Sequence, residues 1–272
     1  KEKWKPYLDY VLKEQEWLKE HQEQELKEIR SKDGLTLRAA YIPRENAKGT
    51  IICMHGYHST NDIEFVPEVR FLWNLGYSIL LPWQRSRGKS EGRYITYGVK
   101  ERHDLKRWIL YTNRHLAAKN KDIFLCGISM GCATTLMAAG LDLPDNVKGI
   151  IADCGFTSPW DIIKHVAKER FHLPPFPLMY MVDLISEVVA GFGLKEVSIP
   201  EIMKRNKIPV LFIHGDADDY VPMWMTIKNY EACAAKKELY IVSGAGHALA
   251  FSKDMEEGKR RIKNFINKYK TI

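Results

Sequence analysis

The sequence predicts an α/β fold in which a mostly parallel sheet of eight strands is covered by helices on both faces. From residue 50 onward, short apolar runs alternate with stretches of helical periodicity, the pattern of a parallel sheet wound by helices. The run Ile123 to Cys126 is apolar without interruption, as in a strand buried on both faces. Residues 28–31 and 35–42 flank an Asp-Gly turn signal, which adds two antiparallel edge strands.

The chain opens with a predicted helix over residues 6–29, in which apolar residues recur every three or four positions. Residues 1–32 carry eight basic and eight acidic residues, so the basic face of a membrane-surface helix is not indicated. We therefore expect a helical arm over 1–32. It packs either on its own domain or on a second copy of the chain, which would make a homodimer.

The six remaining strands are predicted at 50–54, 77–81, 123–126, 147–153, 209–213 and 238–242. Between and after them, helices are predicted at 63–75, 99–116, 130–140, 223–235 and 253–269. Loops that follow parallel strands open at one edge of the sheet, so residues in them can meet there.

Residues 156–207 interrupt the alternation. They contain five prolines and helical stretches but no strand-like run, and they are too long for a plain crossover. We expect a helical cap insertion here, with the core formed by 33–155 and 208–272. Phe171, Phe176 and Met179 of the insertion, together with Trp83, are candidates for the walls of an apolar substrate pocket.

The strongest local signal is Gly127-Ile128-Ser129-Met130-Gly131, which stands between the buried strand and a stretch of helix-forming residues. Strand, G-x-S-x-G and helix in this order place the serine on a sharp turn with its hydroxyl exposed. The helix N-terminus beside it offers backbone N–H groups where an oxyanion would form. Ser129 is therefore the predicted nucleophile.

The net charge of +7 is concentrated in residues 84–121, which hold eleven basic and three acidic residues. A solvated helix face and loop is the favoured interpretation, and contact with an acidic partner or an anionic membrane is the alternative. No nucleic-acid-binding fold or stacking platform accompanies the charge, so nucleic acid is not an expected partner.

Five cysteines, three of them in or at the end of strand-like runs, fit buried free thiols in a reducing compartment better than disulfides. No apolar run is long enough to span a membrane, and a cytoplasmic location is expected. The sequence begins at Lys1 without a methionine, which leaves an upstream signal or anchor open. His55 and His58 do not have the setting of a zinc pair, so no metal site is predicted.

Ester hydrolysis by a serine requires a base within hydrogen-bond reach and an acid that orients the base. The chain offers Ser129, Asp218 and His247 in that order, each after a predicted strand. With these motifs, residues 33–270 resemble the α/β-hydrolase fold serine esterases. Residues 127–131 resemble the nucleophile elbow of that family, and residues 55–57 resemble the strand end that carries its oxyanion hole. Residues 214–222 resemble the loop that carries the catalytic acid, and residues 244–247 resemble the loop that carries the catalytic histidine.

The resemblance implies that Ser129 is the nucleophile, His247 the base and Asp218 its orienting acid, with the N–H groups of Tyr57 and Met130 forming the oxyanion hole. It implies hydrolysis of small carboxylic esters without a cofactor. The segment Trp83 to Gly92 departs from a pattern common among relatives, D-x-R-G-x-G-x-S-x-G, because Trp83 replaces its Asp and Ser86 its first Gly. This departure leaves substrate preference open.

Two other functions use the same residues. An amidase or peptidase differs mainly in protonating the leaving group, and a hydrolase-like binding protein would hold a ligand without turning it over. The choice of acid also has rivals, since Asp153, Asp216 and Asp219 stand at strand ends as well. Asp218 is preferred because it lies far enough into its turn to face the histidine loop, whereas Asp216 and Asp219 would satisfy the turn's own N–H groups.

Overall fold

The computed structural model describes residues 5–22, 25–116 and 121–271. Its eight strands form one sheet in the order β1-β2-β4-β3-β5-β6-β7-β8. The β1–β2 and β2–β4 pairs are antiparallel and the others are parallel. The strands are Leu26–Arg30, Thr36–Ile42, Gly49–Met54, Ser78–Pro82, Asp122–Ile128, Val147–Asp153, Val210–Gly215 and Lys237–Val242. The predicted fold class is confirmed.

Helices cover both faces of the sheet. They are α1 Lys5–Gln22, α2 Asn61–Glu64, α3 Val66–Asn74, α4 Glu101–His115, α5 Met130–Ala138, α6 Pro159–Glu169, α7 Pro175–Ile185, α8 Ile199–Met203, α9 Met223–Ala232, α10 Ala250–Lys253 and α11 Met255–Tyr269. A π-helical turn, Ser186–Ala190, continues α7. None of these helices combines the length and apolarity needed to cross a membrane.

The core consists of two apolar clusters separated by the sheet. On β5, Leu125 belongs to the cluster under α4, α5 and α9, while Phe124 and Cys126 belong to the cluster under α1, α3 and α11. This alternation explains the uninterrupted apolar run of the strand, because successive side chains enter opposite cores. Each fully buried large side chain contributes about 1.5–3 kcal/mol to folding, so β5 is fixed firmly at mid-sheet.

The N-terminal segment differs from its prediction as a helix over 6–29. The helix α1 ends at Gln22, and Leu26–Arg30 pairs with β2 in a register that joins Leu26 to Ala40. Pairing with an otherwise open strand edge satisfies backbone groups that a continued helix would leave there. Residues 26–30 therefore belong to the sheet rather than to a helical arm.

The helix α1 packs on α3 of its own chain. The Tyr10 hydroxyl donates to the Pro67 carbonyl at 2.7 Å, Glu14 lies 3.5 Å from Arg70, and Leu18 is buried. These contacts connect the first helix to the body of the molecule.

Among the basic residues of segment 84–121, Arg85 is an exception to the expected solvated face. Arg85 is buried and donates to both carboxylate oxygens of Asp104, at 2.7 and 2.8 Å, and to Asp33 at 2.8 Å. Bidentate guanidinium–carboxylate pairs are geometrically specific, so Arg85 fastens the loop after β4 to α4 and to the first hairpin. Lys119 of this segment lies outside the described residues.

Helices α6, α7 and α8 all lie between β6 and β7. The helix α6 begins at Ser158, whose hydroxyl accepts the Asp161 N–H at 3.0 Å. Ile162 of α6 and Met179 of α7 are buried in the cluster that also contains α5. The segment is thus packed onto the sheet's helical layer at the edge where the parallel strands end.

Candidate active site

Ser129 occupies a sharp, strained turn between β5 and α5. Its φ of 55° is in the left-handed region, which a non-glycine residue rarely adopts. A Cβ on Gly131 would lie 1.8 Å from the Met54 carbonyl oxygen, and one on Gly127 would lie 2.4 Å from the Gly131 oxygen. Both glycines are therefore required by close backbone approach, and together they hold Ser129 at the tip of the turn.

A chain of hydrogen bonds joins the three residues predicted to act together. The Ser129 Oγ lies 2.9 Å from His247 Nε2, and His247 Nδ1 lies 2.8 Å from Asp218 Oδ2. An ionised carboxylate only accepts hydrogen bonds, so Nδ1 carries the proton and Nε2 is left to accept the serine hydroxyl. This is the arrangement in which imidazole can take a proton from Ser129.

The Asp218 carboxylate is held by its own turn. Its Oδ1 accepts the N–H groups of Tyr220 and Val221, each at 2.9 Å. Burial raises the pKa of this carboxyl, but hydrogen bonds from His214 and His247, the charge of His247 and the Val221 N–H outweigh burial and hold the pKa well below its usual range. Asp218 is therefore ionised wherever the protein is folded near neutral pH.

The expectation that Asp216 and Asp219 satisfy the N–H groups of their own turn was wrong, because Asp218 accepts the Tyr220 and Val221 N–H groups. Asp216 Oδ1 accepts the Gly244 N–H at 2.5 Å, which ties the acid loop to the histidine loop. Asp219 is exposed and lies 3.4 Å from Arg170.

His214 supports the acid loop and was not given a role by the sequence. It is fully buried, with Nε2 2.8 Å from the Val221 carbonyl and 3.3 Å from Asp218 Oδ2, and Nδ1 2.7 Å from the Thr226 hydroxyl. Because both neighbours of Nε2 are acceptors, this nitrogen carries the proton. The position of His214 at the start of the His-Gly-Asp motif was the sequence signal from which this supporting role could have been predicted.

Of the two predicted oxyanion donors, Met130 follows Ser129 directly and Tyr57 follows Gly56, which approaches Ser129. Met130 opens α5, where the N–H has no partner within the helix. Tyr57 follows Gly56, and a Cβ on Gly56 would lie 3.2 Å from Ser129 Cβ. Within the described part of the chain, neither N–H donates to a protein acceptor. His55 pins this loop, since its Nε2 accepts the Gln84 N–H at 3.0 Å.

Glu64 is a carboxylate beside the site for which the sequence gave no signal. Its Oε2 accepts the Gly56 N–H, and Oε1 lies 2.9 Å from the point where a Gly56 Cβ would stand. Ser129 Cβ lies 3.2 Å from that same point, so the two atoms are at most about 6 Å apart, the sum of those distances. Burial raises the pKa of Glu64. Hydrogen bonds from Gly56 and Ser59 and the charge of His247 lower the pKa but do not outweigh burial.

Asp153, the alternative acid, is hydrogen-bonded to Ser129 through its backbone, whereas His247 Nδ1 is paired with Asp218. Its backbone carbonyl accepts the Ser129 N–H at 2.9 Å, while Oδ1 is buried without a hydrogen-bond partner. It lines a small cavity of about 20 Å³ with Glu68 and apolar side chains. Burial raises the pKa of Asp153 to about 7, although the charges of His214 and His247 lower it.

An apolar pocket of about 170 Å³ opens beside the histidine. It is lined by Tyr97, Ile162, Ile163, Val166, Ala167, Phe171, Leu173 and Tyr220. Tyr220 packs on the His247 ring at 5.0 Å between centroids, and Tyr97 stacks on Tyr57 at 5.1 Å. These two aromatic contacts connect the pocket to both the base and the oxyanion loop.

Of the four side chains predicted as pocket walls, only Phe171 lines this pocket. Met179 is buried in the core, and Phe176 is exposed on the outer side of α7. Trp83 points to the opposite cluster, under α3 and α11, where it packs against Gly88. The walls that were not among the four predicted side chains come from α6, from Leu173 and from two isolated tyrosines, for which no local pattern exists.

Within the described ranges, one group of side chains has the spacing of a metal site, namely Cys154, Asp218 and His247, whose ligand atoms lie within 4.8 Å of one another. Two of the three already take part in the hydrogen-bond chain to Ser129. A metal there would compete with that chain, so the group fits proton transfer better than metal binding.

Comparison with known proteins identifies the family of the chain. The family model described as "Prolyl oligopeptidase family" matches residues 90–271. The uncharacterized protein YqkD of Bacillus subtilis is 28% identical over 239 residues, which cover 88% of this chain and 78% of YqkD. Protein bem46 of Schizosaccharomyces pombe is 25% identical over 217 residues, which cover 78% of this chain and 67% of that protein.

Solved structures of esterases also match this chain. The Pyrococcus furiosus esterase Pf2001 superposes with a TM-score of 0.73 at 26% identity, covering 90% of this chain and 92% of the esterase. Est1E of Butyrivibrio proteoclasticus, solved with ferulic acid, has a TM-score of 0.70 at 20% identity, covering 89% of this chain and 96% of Est1E, and supports the fold alone. The resemblance to α/β-hydrolase fold serine esterases is confirmed.

Proposed function

Because the chain belongs to the prolyl oligopeptidase family and has the fold of α/β-hydrolase esterases, we propose that it cleaves small carboxylic esters through an acyl-enzyme on Ser129. That the chain is an α/β hydrolase follows from the family and the esterase neighbours. The substrate class and the role of each residue are the proposal.

The hydrogen-bond chain Ser129–His247–Asp218 carries this proposal. His247 takes the hydroxyl proton as Ser129 Oγ attacks the ester carbonyl carbon, and Asp218 stabilises the imidazolium that forms. The N–H groups of Tyr57 and Met130 receive the carbonyl oxygen as it becomes negative. His247 then gives its proton to the leaving alcohol, and water attacks the acyl-enzyme by the same steps in reverse.

The pocket supports a small, uncharged acyl group, because its lining has no charged side chain and its volume is only about 170 Å³. We further propose that residues 156–207, which supply most of the pocket wall, act as the cap over the site.

Fluorophosphonate labelling tests the nucleophile. The reagent should form a covalent adduct on Ser129 of the wild-type protein, and Ser129→Ala should lose the adduct and at least about 10³-fold of the kcat for a p-nitrophenyl ester. Ser198→Ala is the matched control, because Ser198 is exposed and its side chain makes no cap hydrogen bond. Normal turnover by Ser129→Ala would contradict the proposal. Ligand binding without adduct or turnover in the wild-type protein would instead indicate a non-catalytic binding protein.

A peptidase or amidase is the second candidate, and the family match favours it. The same residues can serve, because amide cleavage differs mainly in the need to protonate a leaving amine. Comparing p-nitrophenyl esters with aminoacyl p-nitroanilides separates the two. We expect ester turnover to dominate, and strong anilide turnover beside weak ester turnover would reverse this order.

A further inference from the structure

The most unusual surface of the molecule is an apolar strip on the outer side of α7. We define the α7 face as nine exposed apolar residues: Phe171, Leu173, Phe176, Tyr180, Met181, Leu184, Ile185, Val188 and Val189. The first two precede α7 and also line the pocket beside the histidine. Seven of them form two neighbouring rows along α7 and the π-helical turn, with steps of four residues. Side chains four apart lie side by side on a helix, so these rows make one continuous surface.

The α7 face is larger than a monomer ordinarily exposes. Its residues are between 44% and 78% exposed. At about 150–250 Å² for a large side chain, this amounts to roughly 1,000 Å² of apolar surface. The largest apolar patch of a typical monomer is about 300–600 Å², whereas each side of a standard stable interface buries about 800 Å². The area therefore matches what a stable partner needs.

The charges around α7 argue against a lipid surface. None of residues 175–190 is Lys or Arg, and the two charged residues among them, Asp183 and Glu187, are acidic. Interfacial helices carry basic residues on their polar face, which attract anionic lipids. Lys195, whose Nζ lies 4.5 Å from the centre of the Tyr180 ring, is a cation beside this face. The helix α7 itself has no basic polar face for anionic lipids, so the net charge of +7 of the whole chain does not favour membrane docking through α7.

The composition of the α7 face fits a second copy of the chain. Interface cores are depleted in charge and enriched in aromatic residues and Met, and this face contains Phe, Tyr and Met with no charged member. A uniformly apolar strip is complementary to itself, which is what a twofold interface requires. We propose that two copies form a homodimer in which their α7 faces cross, with Met181, Leu184 and Ile185 near the twofold axis.

Sedimentation over a dilution series tests the dimer. The wild-type protein should sediment at twice its chain mass of 31.5 kDa, and Leu184→Glu should raise the dimer dissociation constant by at least about 100-fold, because each substitution enters the interface twice. Val188→Glu is a second variant at an exposed position. Leu12→Glu, on an exposed position of α1, is the matched control and should leave the constant unchanged.

Disulfide trapping tests the location of the axis. A residue near a twofold axis meets its own copy, so at least one of Met181→Cys, Leu184→Cys and Ile185→Cys should crosslink on oxidation, whereas Leu12→Cys should not. Background is low because all five native cysteines are buried and unpaired.

Three results would overturn the proposal. The first is a wild-type monomer at every concentration, and the second is an unchanged dissociation constant in both folded glutamate variants. The third is a monomer that binds phosphatidylcholine vesicles through Leu184, which would assign the α7 face to lipid. Wild-type-like circular dichroism and a single cooperative melting transition show that the fold of each variant is intact, whereas the melting temperature itself falls when a dimer is lost.

Discussion

At the residue scale, the two aspartates nearest the site show how surroundings decide chemistry. Asp218 and Asp153 both follow parallel strands, yet Asp218 accepts two backbone N–H groups and faces His247, while one oxygen of Asp153 has no partner. Hydrogen bonds outweigh burial at Asp218 and lower its pKa, whereas burial dominates at Asp153 and raises its pKa to about 7. Only Asp218 is suited to orient an imidazole.

Paired asparagine substitutions test this assignment. Asp218→Asn should lower kcat by up to about 10⁴-fold, because the imidazole loses the acceptor that fixes its tautomer. Asp153→Asn should stay within about tenfold of wild type. The kcat values for one p-nitrophenyl ester, measured on variants with an unchanged melting temperature, make the comparison. A strongly lowered kcat in Asp153→Asn together with a normal kcat in Asp218→Asn would show that Asp153 is the orienting acid.

The raised pKa of Asp153 also predicts how stability depends on pH. An unfolded aspartate titrates near 3.9, and the folded one near 7, so between these values the folded state holds a proton that the unfolded state lacks. The contribution of Asp153 to wild-type stability therefore falls as pH rises through this window. Asn does not ionise, so the melting temperature of Asp153→Asn relative to wild type should increase from pH 4 to 7 and then level off.

Asp219→Asn, at an exposed position, is the control for this pH series and should track wild type throughout. A difference between Asp153→Asn and wild type that stays constant with pH would contradict the prediction.

Glu64 should affect catalysis through its charge. A carboxylate within about 6 Å of the Ser129 Cβ opposes the oxyanion that the proposed mechanism develops. Glu64→Gln keeps an acceptor for the Gly56 N–H and removes the charge. We expect its kcat/KM relative to wild type to rise with pH, reaching about threefold or more where wild-type Glu64 is ionised.

A matched variant separates charge from anchoring at Glu64. Glu64→Ala leaves the Gly56 N–H without its acceptor and should lower kcat/KM at every pH. Equal losses in both variants would mean that Glu64 acts only as an anchor.

At the element scale, the fit between α5 and β3 sets the elbow. The N-terminus of α5 lies so close to the end of β3 that Gly131 has no room for a methyl group. The Met54 carbonyl that would be struck is backbone in a central strand, which cannot move without disturbing the sheet.

Gly131→Ala should therefore lower the free energy of unfolding by about 3 kcal/mol or more, or prevent folding. Gly246→Ala is the matched control, since its added methyl group would be 3.7 Å from the nearest atom. Urea unfolding of both variants checks this, and equal stabilities would contradict the geometry.

At the scale of the whole molecule, the pocket is assembled from segments far apart in the chain. Tyr97 precedes α4, Val166 and its neighbours belong to α6, and Tyr220 lies in the acid loop. The pocket's size therefore depends on how α6 sits over the sheet, and its acyl-length preference should change when α6 carries a larger side chain.

Val166→Trp should fill part of the pocket and reduce kcat/KM for a hexanoate ester by at least about tenfold relative to an acetate ester. Lys168→Trp adds the same side chain at an exposed position of α6 and should leave this ratio unchanged. The ratio of p-nitrophenyl hexanoate to acetate turnover is the measurement. An unchanged ratio in Val166→Trp would place the acyl group elsewhere.

Local pattern was sufficient where neighbouring residues in sequence interact. The apolar run of β5, the glycines of the elbow and the Asp-Gly hairpin could all be read without tertiary contacts, and with them the strand number and the order of the motifs. The helix predicted over 6–29 was too long at its C-terminal end. Residues Leu26–Arg30 form a strand instead, because they pair with β2, which lies about ten residues downstream. Trp83 was assigned to a pocket although its side chain enters the opposite cluster.

By itself, the sequence determined a parallel α/β sheet, a serine on a strained strand-to-helix turn, and an acid and a histidine after later strands. Only the tertiary structure decided that Asp218 rather than Asp153 faces His247, that Glu64 stands beside the nucleophile, which side chains form the pocket and that α7 exposes an apolar face. The physical reason is that backbone conformation and strand burial depend on residues within one or two turns. Side-chain distances and burial depend on how segments far apart in the chain pack against each other.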